Sequence, residues 1–149
     1  MQKTLIMLNK PRINNTVPFG IVLIVVSFLL ATLPTRSQVS FCAVGDVLLA
    51  RSMSVRIADS GVNYPFEKVR AIISAADVAF ANLECPLCPD GERPPVRKKF
   101  MFRSEPEYAS GLRFAGFDVV SVANNHALDY GSGGRAATIR ALDSAGIAH

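Results

Sequence analysis

Phe117-Asp118-Val119-Val120-Ser121-Val122-Ala123-Asn124-Asn125-His126-Ala127-Leu128-Asp129-Tyr130-Gly131 changes character in its middle, and that change decides the fold. Residues 119–122 are a largely β-branched apolar run, the pattern of a short buried strand. Asn124, Asn125 and His126 follow at once, with Asp129 and a glycine-rich turn behind them. Open α/β sheets hold their ligands at the carboxyl ends of parallel strands, so polar side chains crowded behind an apolar run mark a candidate site. The arrangement occurs twice earlier, in Gly45-Asp46 and in Asn82-Leu83-Glu84, each after its own apolar run. The sequence thus predicts three strand ends that converge in space.

Outward from this stretch, strands alternate with helical segments. A strand over 39–44 runs into Gly45, and a helix over 49–60 ends near Gly61. Tyr64-Pro65-Phe66 opens a second helix with an apolar stripe of Val69, Ile72 and Ile73, and Pro65 suits its first turn. A strand over 77–81 precedes Asn82. Residues 85–96 carry four prolines, Gly91 and mixed charge, the composition of a surface loop. Residues 98–103 (KKFMFR) read as a short strand and 105–115 as a helix, with Pro106 in its first turn and Gly116 beyond its end. The strand over 118–123 follows, and Gly131-Ser132-Gly133-Gly134 leads into a helix over 135–145 closed by Gly146. Such alternation predicts an α/β sheet with parallel neighbours. Residues 147–149 stand where a further strand would begin, so the expected sheet is incomplete at the C-terminus, as in a fragment or a truncated gene product.

Residues 17–33 (VPFGIVLIVVSFLLATL) contain no charged side chain. As a helix they would span ~26 Å at ~1.5 Å per residue, close to a ~30 Å hydrocarbon core. Lys3, Lys10 and Arg12 precede the run, while Pro34 and polar residues follow it. This is the layout of a signal anchor or a signal peptide; the weak small-residue pattern before Gln38 favours the uncleaved anchor. The basic flank places the N-terminus in the cytoplasm. Residues 1–37 are therefore expected to be an n-region plus hydrophobic helix, and 38–149 a single-pass membrane protein's extracytoplasmic domain, or a secreted one if cleavage occurs.

The net charge of +4 owes three of its sixteen basic residues to that flank, leaving thirteen against twelve acidic ones beyond it. A nearly neutral domain has no electrostatic footprint for nucleic acid. Cys42, Cys85 and Cys88 are an odd number and make no disulfide framework. Cys85 and Cys88 have redox-motif spacing without the strand–helix setting of a redox site, which leaves a disulfide or two ordinary thiols.

Singly, each polar residue has an ordinary explanation. Asp46 can cap a helix, Glu84 can sit solvated in a loop, His126 can be structural, and Asn124-Asn125 can support a turn. Jointly, two carboxylates, an amide oxygen and an imidazole at successive strand ends fit a divalent cation. Oxygen ligands suit Mn²⁺, Mg²⁺ or Fe, and imidazole extends the range to Zn²⁺; such metals polarise phosphoryl oxygens and activate water. Asp129, three residues after His126, can orient its imidazole if the segment turns helically. Arg51 and Arg103 are candidate contacts for a carboxylate or phosphate, with surface ion pairing as the alternative. Residues 93–99 (RPPVRKK) can touch an anionic polymer or remain a solvated loop.

Three blocks, 45–51 (GDVLLAR), 82–87 (NLECPL) and 117–131, resemble the signatures of the capsule/poly-γ-glutamate synthesis CapA family, in order and at family-like spacing over about 40–149. That family is similar in fold to the calcineurin-like metallophosphoesterases. The resemblance implies Asp46 and Glu84 as metal ligands, Asn125 as the amide ligand of the Asn-His motif, and His126 as the residue that contacts phosphate or protonates the leaving group. Asn82, Asn124 and Asp129 would support them. Leu48 stands where calcineurin-like enzymes usually carry a histidine, and their later histidine motifs are expected beyond His149. The resemblance implies a membrane-bound component of capsule or poly-γ-glutamate synthesis or export, with synthase subunits and anionic polymer as partners. A metal-dependent phosphoesterase-like hydrolase and a non-functional remnant are the competing readings.

Overall fold

In the computed structural model the chain divides into two units, Met1–Ser37 and Gln38–His149. Residues 20, 38–91 and 98–149 are described; the expected hydrophobic helix over 17–33, Gly20 apart, and most of 93–99 lie outside the described residues. Among those described, no helix is long and apolar enough to cross a membrane.

The second unit is built on a parallel sheet of three strands, β1 (Phe41–Val47), β2 (Val78–Leu83) and β3 (Val119–Ser121), in the order β1-β2-β3. The connections carry α1 (Ser52–Ser60), α2 (Arg70–Ile73), a 3₁₀ turn (Pro106–Tyr108) and α3 (Ala109–Ala115); α4 (Gly131–Ala145) follows β3. The mixed α/β class with parallel neighbours is as the alternation predicts. Ala148 bridges Val119 in parallel, so the residues after Gly146 do begin another pairing beside β3.

Alternation along β2 assigns its faces. Ala79, Ala81 and Leu83 are buried, whereas Val78, Phe80 and Asn82 are half-buried. The buried side joins Val120 with Leu112, Ala115, Phe117, Leu142 and Ile147 in one core. Full burial of each large aliphatic side chain contributes roughly 1.5–3 kcal/mol. The opposite side of the sheet is thinly covered: Phe41 is 63% exposed and stacks on Phe80 at 6.5 Å.

A β-bulge in β1 matters most for the site. Phe41, Cys42 and Ala43 pair with Val78, Ala79 and Phe80, but beyond the register shift Asp46 pairs with Asn82 and Val47 with Leu83. Continuing the first register would set Gly45 beside Asn82 and turn Asp46 toward the core beside Leu83. The extra residue re-aims the carboxylate onto the face of Asn82 and Ser121.

Four local expectations are corrected. Residues 98–103 form no strand. Both edges of β2 are already paired, Phe102 N–H donates to Asp129 Oδ2, and Ser104 alone pairs in parallel, with Leu87. The helix expected from Tyr64 is a series of turns until the short α2, too short for a helical stripe to build up; Ile73 is buried but Ile72 is 70% exposed. Residues 85–88 are buried rather than surface loop, because Leu87 N–H donates to Thr138 Oγ1 of α4 and Cys88 N–H to Ser104 O. Finally, α4 starts at Gly131, four residues early, absorbing the glycine-rich turn.

The strand starts are fastened by carboxylates. Ser40 N–H and Oγ–H both donate to Asp77 Oδ2, at 2.8 and 2.7 Å, and Asp77 N–H donates to Ser40 Oγ. Asp118 Oδ2 accepts from Ala79 N–H at 2.8 Å in the same manner between β2 and β3. The Ser40 backbone and side-chain hydrogen bonds hold the Asp77 carboxyl below its ordinary pKa, against a small opposing effect of burial. A depressed carboxylate contributes stability that is present above its unfolded pKa, near ~4, and lost as pH falls through the lower folded value. Asp77→Asn should therefore flatten the acid limb of a Tm-against-pH curve below about pH 4. Gly116 offers a second check: it has φ +98°, and an added Cβ would sit 2.8 Å from Ser74 Cβ. Gly116→Ala should cost about 1–3 kcal/mol in urea unfolding.

Candidate functional site

The site grows from Asn82 near the end of the central strand. Its amide Nδ2 donates to Asp46 Oδ1 at 2.8 Å and to Glu84 Oε2 at 2.6 Å. One side-chain amide therefore bridges the carboxylates of two strand ends. Its Oδ1 accepts from Asn124 Nδ2 at 3.0 Å, and Asn124 Nδ2 also donates to Leu83 O at 2.9 Å. Asn124 Oδ1 in turn accepts from His126 N–H. The convergence of three strand ends expected from the sequence is present as one continuous hydrogen-bonded chain.

His126 is 8% exposed. Its Nδ1 lies 2.7 Å from Asp129 Oδ2 and its Nε2 lies 3.8 Å from Glu84 Oε1. Asp129 is fully buried and accepts from three donors: His126 Nδ1, Phe102 N–H at 2.8 Å, and Lys98 Nζ at 2.5 Å. Burial pushes the Asp129 pKa up, but the hydrogen bonds from Lys98, His126 and Phe102 outweigh it and leave the carboxyl below its ordinary value. An ionised Asp129 fixes the Nδ1–H tautomer and turns Nε2 toward Glu84. In neutral imidazole that presents a lone pair to a carboxylate oxygen, an acceptor facing an acceptor, which a proton or a cation between them would relieve.

The remaining predicted residues divide. Asn125 is exposed, and its carbonyl accepts from Lys98 Nζ. Arg51 lies beside the site, its guanidinium 5.9 Å from the Phe102 ring centroid. Arg103 is held elsewhere by Glu105 at 2.9 Å, Asp90 at 3.7 Å and the carbonyl of Cys88. Cys85 and Cys88 are free thiols, and burial pushes both pKa values up, the opposite of an activated cysteine.

Sequence reading gave Lys98 only a place in the basic stretch 93–99 and missed both its bond to Asp129 and the role of Phe102. The Phe102 ring packs on the His126 imidazole with centroids 4.2 Å apart. Basic and aromatic residues interleaved in KKFMFR were the available signal, submerged by its strand-like pattern.

The donor set suits a hard cation in part. Asp46 and Glu84 converge on one amide, and amide or water oxygens would have to complete a shell. Among the described residues, no three His, Cys, Asp or Glu side chains group closely enough to hold a metal by themselves.

Asp129→Asn removes the charge that Lys98, His126 and Phe102 share. It should destabilise the domain by roughly 1–3 kcal/mol, read by urea unfolding at pH 7. The loss should shrink as pH falls below about 4, where protonation removes the same charge from the wild type. Nitrogen-15 NMR of the imidazole should show the Nδ1–H tautomer losing its preference in the variant.

Residues 40–149 match the family described as bacterial capsule synthesis protein PGA_cap. An uncharacterized protein of Sinorhizobium fredii is 33% identical over 111 residues, covering 72% of this chain and 23% of its own length. A probable polyglutamine synthesis accessory protein of Mycobacterium tuberculosis is 35% identical over 108 residues, 70% of this chain and 28% of that protein. The capsule biosynthesis protein CapA of Bacillus anthracis is 26% identical over 114 residues, 75% of this chain and 28% of that one. The chain spans about a quarter of the length of these curated relatives. With the family matched across the whole second unit and its strand-end residues gathered at one place, this chain belongs to the bacterial capsule synthesis protein family of CapA.

Proposed function

We propose that the chain is the N-terminal part of a membrane-anchored, extracytoplasmic accessory protein in capsule or poly-γ-glutamate synthesis or export. Its domain would be a calcineurin-like α/β layer anchored through residues 17–33. The strand-end site would hold a divalent cation, Mn²⁺, Mg²⁺, Fe or Zn²⁺, through Asp46, Glu84 and the amide oxygen of Asn125. Other synthase subunits and the anionic polymer would be its partners. The observation that carries this reading is the Asn82 amide, which draws Asp46 and Glu84 to one point beside His126. Two carboxylates held together by a single neutral donor repel each other, and a cation offsets that repulsion.

A phosphoesterase-like activity is favoured by one further feature. Asp129 anchors Nδ1 of His126 while Nε2 faces the Glu84 carboxylate, the orientation a proton-donating imidazole needs. A bound cation would supply charge for a phosphoryl oxygen and an activated water; His126 would contact the phosphate or protonate the leaving oxygen.

Mn²⁺ titration of the chain, followed by electron paramagnetic resonance, should show binding weakened about tenfold or more in Asp46→Asn and Glu84→Gln, since even supporting residues of metal sites are worth ~10–100-fold. Unchanged affinity would refute the cation site. Polymer yield from the host carrying each variant at the native locus then separates the two roles. Loss in His126→Ala with Mn²⁺ binding intact points to chemistry, and retention points to binding or scaffolding.

A further inference from the structure

Arg51 closes the first signature block, five residues after Asp46. Among the described residues it is the non-glycine residue with positive φ, at φ 60° and ψ −130°. That backbone is costly for a residue bearing a Cβ. Its guanidinium lies 5.7 Å from the Phe100 ring centroid and 5.9 Å from that of Phe102. Lys99 Nζ stands over the same Phe100 ring at 5.4 Å. Among the described residues neither cation is paired with a carboxylate, whereas Arg103 has two. Phe100 is half-exposed, and Phe102 packs directly on His126.

Arg51 and Lys99 each draw on the π system of Phe100, which offsets less of a cation's charge than an anionic partner does. An oxyanion would supply that partner. A guanidinium held near ring faces rather than by a carboxylate keeps N–H groups available for bidentate recognition of such a group.

We propose that Arg51, with Lys99 beside it on the Phe100–Phe102 platform, is the oxyanion-recognising element of the strand-end site. It binds a carboxylate or phosphate of the ligand that His126 faces. The proposal rests on the reading of the strand ends as the ligand site and adds the class of group recognised there. Glycine would adopt the Arg51 backbone without strain, so the turn by itself does not call for an arginine side chain.

The test uses the chain with inorganic phosphate and the dipeptide γ-glutamyl-glutamate as probes. NMR follows the Phe102 ring signals in wild type, Arg51→Gly and Arg51→Lys, and the Arg51 Nε–H signal in the wild type. At least one probe should shift those signals in the wild type, and the responding probe identifies phosphate or carboxylate as the source. Arg51→Gly should weaken that binding at least tenfold while raising Tm, and Arg51→Lys should recover part of the affinity. No response to either probe in the wild type would overturn the proposal. So would binding unchanged in Arg51→Gly, or a lowered Tm in that variant, which would make Arg51 structural. A wild type that binds oxyanion but no Mn²⁺ would sink the cation site alone and leave this proposal standing.

Discussion

A single extra residue in β1 governs where the chemistry falls. Parallel strands carry paired residues on the same face, and the first register of β1 against β2 would turn Asp46 toward the core beside Leu83. The shift between Ala43 and Asp46 brings the carboxylate level with Asn82 instead. Only then can the Asn82 amide reach Asp46 and Glu84 together. Asn82 is also level with Ser121 of β3, so the same register carries the site across to the third strand end. Gly45 sits in the shifted segment with open space where a Cβ would be.

The second organising group is the Asp129 carboxylate. A buried charge is costly unless fully hydrogen-bonded, and here three donors from two segments satisfy it. It orients His126, and it ties residues 98–102 over the strand ends, which explains why a strand-like hexapeptide forms no strand. Packing of Phe102 on His126 then links that tie to Arg51 on the other strand end. Local β-propensity lost to a half-buried ion pair and to aromatic packing.

The two faces of the sheet differ in what they leave open. Small side chains on β2, Ala79 and Ala81, are fully buried beneath the core, while Phe41 and Phe80 stack on the thinly covered side. The polar network lies at the carboxyl ends of the strands, where Asp46 and Asn82 still pair in the ladder while Glu84 and Asn124 stand just beyond it. The three blocks that resemble the family's signatures all lie within the matched residues 40–149, and they are the segments whose side chains touch.

The sequence by itself determined the α/β alternation, the parallel neighbours, and the placing of Asp46, Asn82, Glu84, Asn124, Asn125 and His126 near strand ends. Those are local facts, a switch from apolar run to polar cluster, and local pattern reports them faithfully. It also pointed to Asp129 beside His126, because a three-residue separation within a turn is short enough to read. That Asn124, rather than the exposed Asn125 expected as the amide ligand, joins the hydrogen-bonded chain was decided by the fold. Only the tertiary structure decided the face of Asp46, because a bulge depends on pairing with another strand. It alone recruited Lys98 and Phe102, whose partners lie 31 and 27 residues away. It also separated Arg51 from Arg103: equal in sequence, one rests on an aromatic platform and the other is neutralised by Glu105 and Asp90. Long-range charge and register are properties of the folded chain, and no window of neighbouring residues contains them.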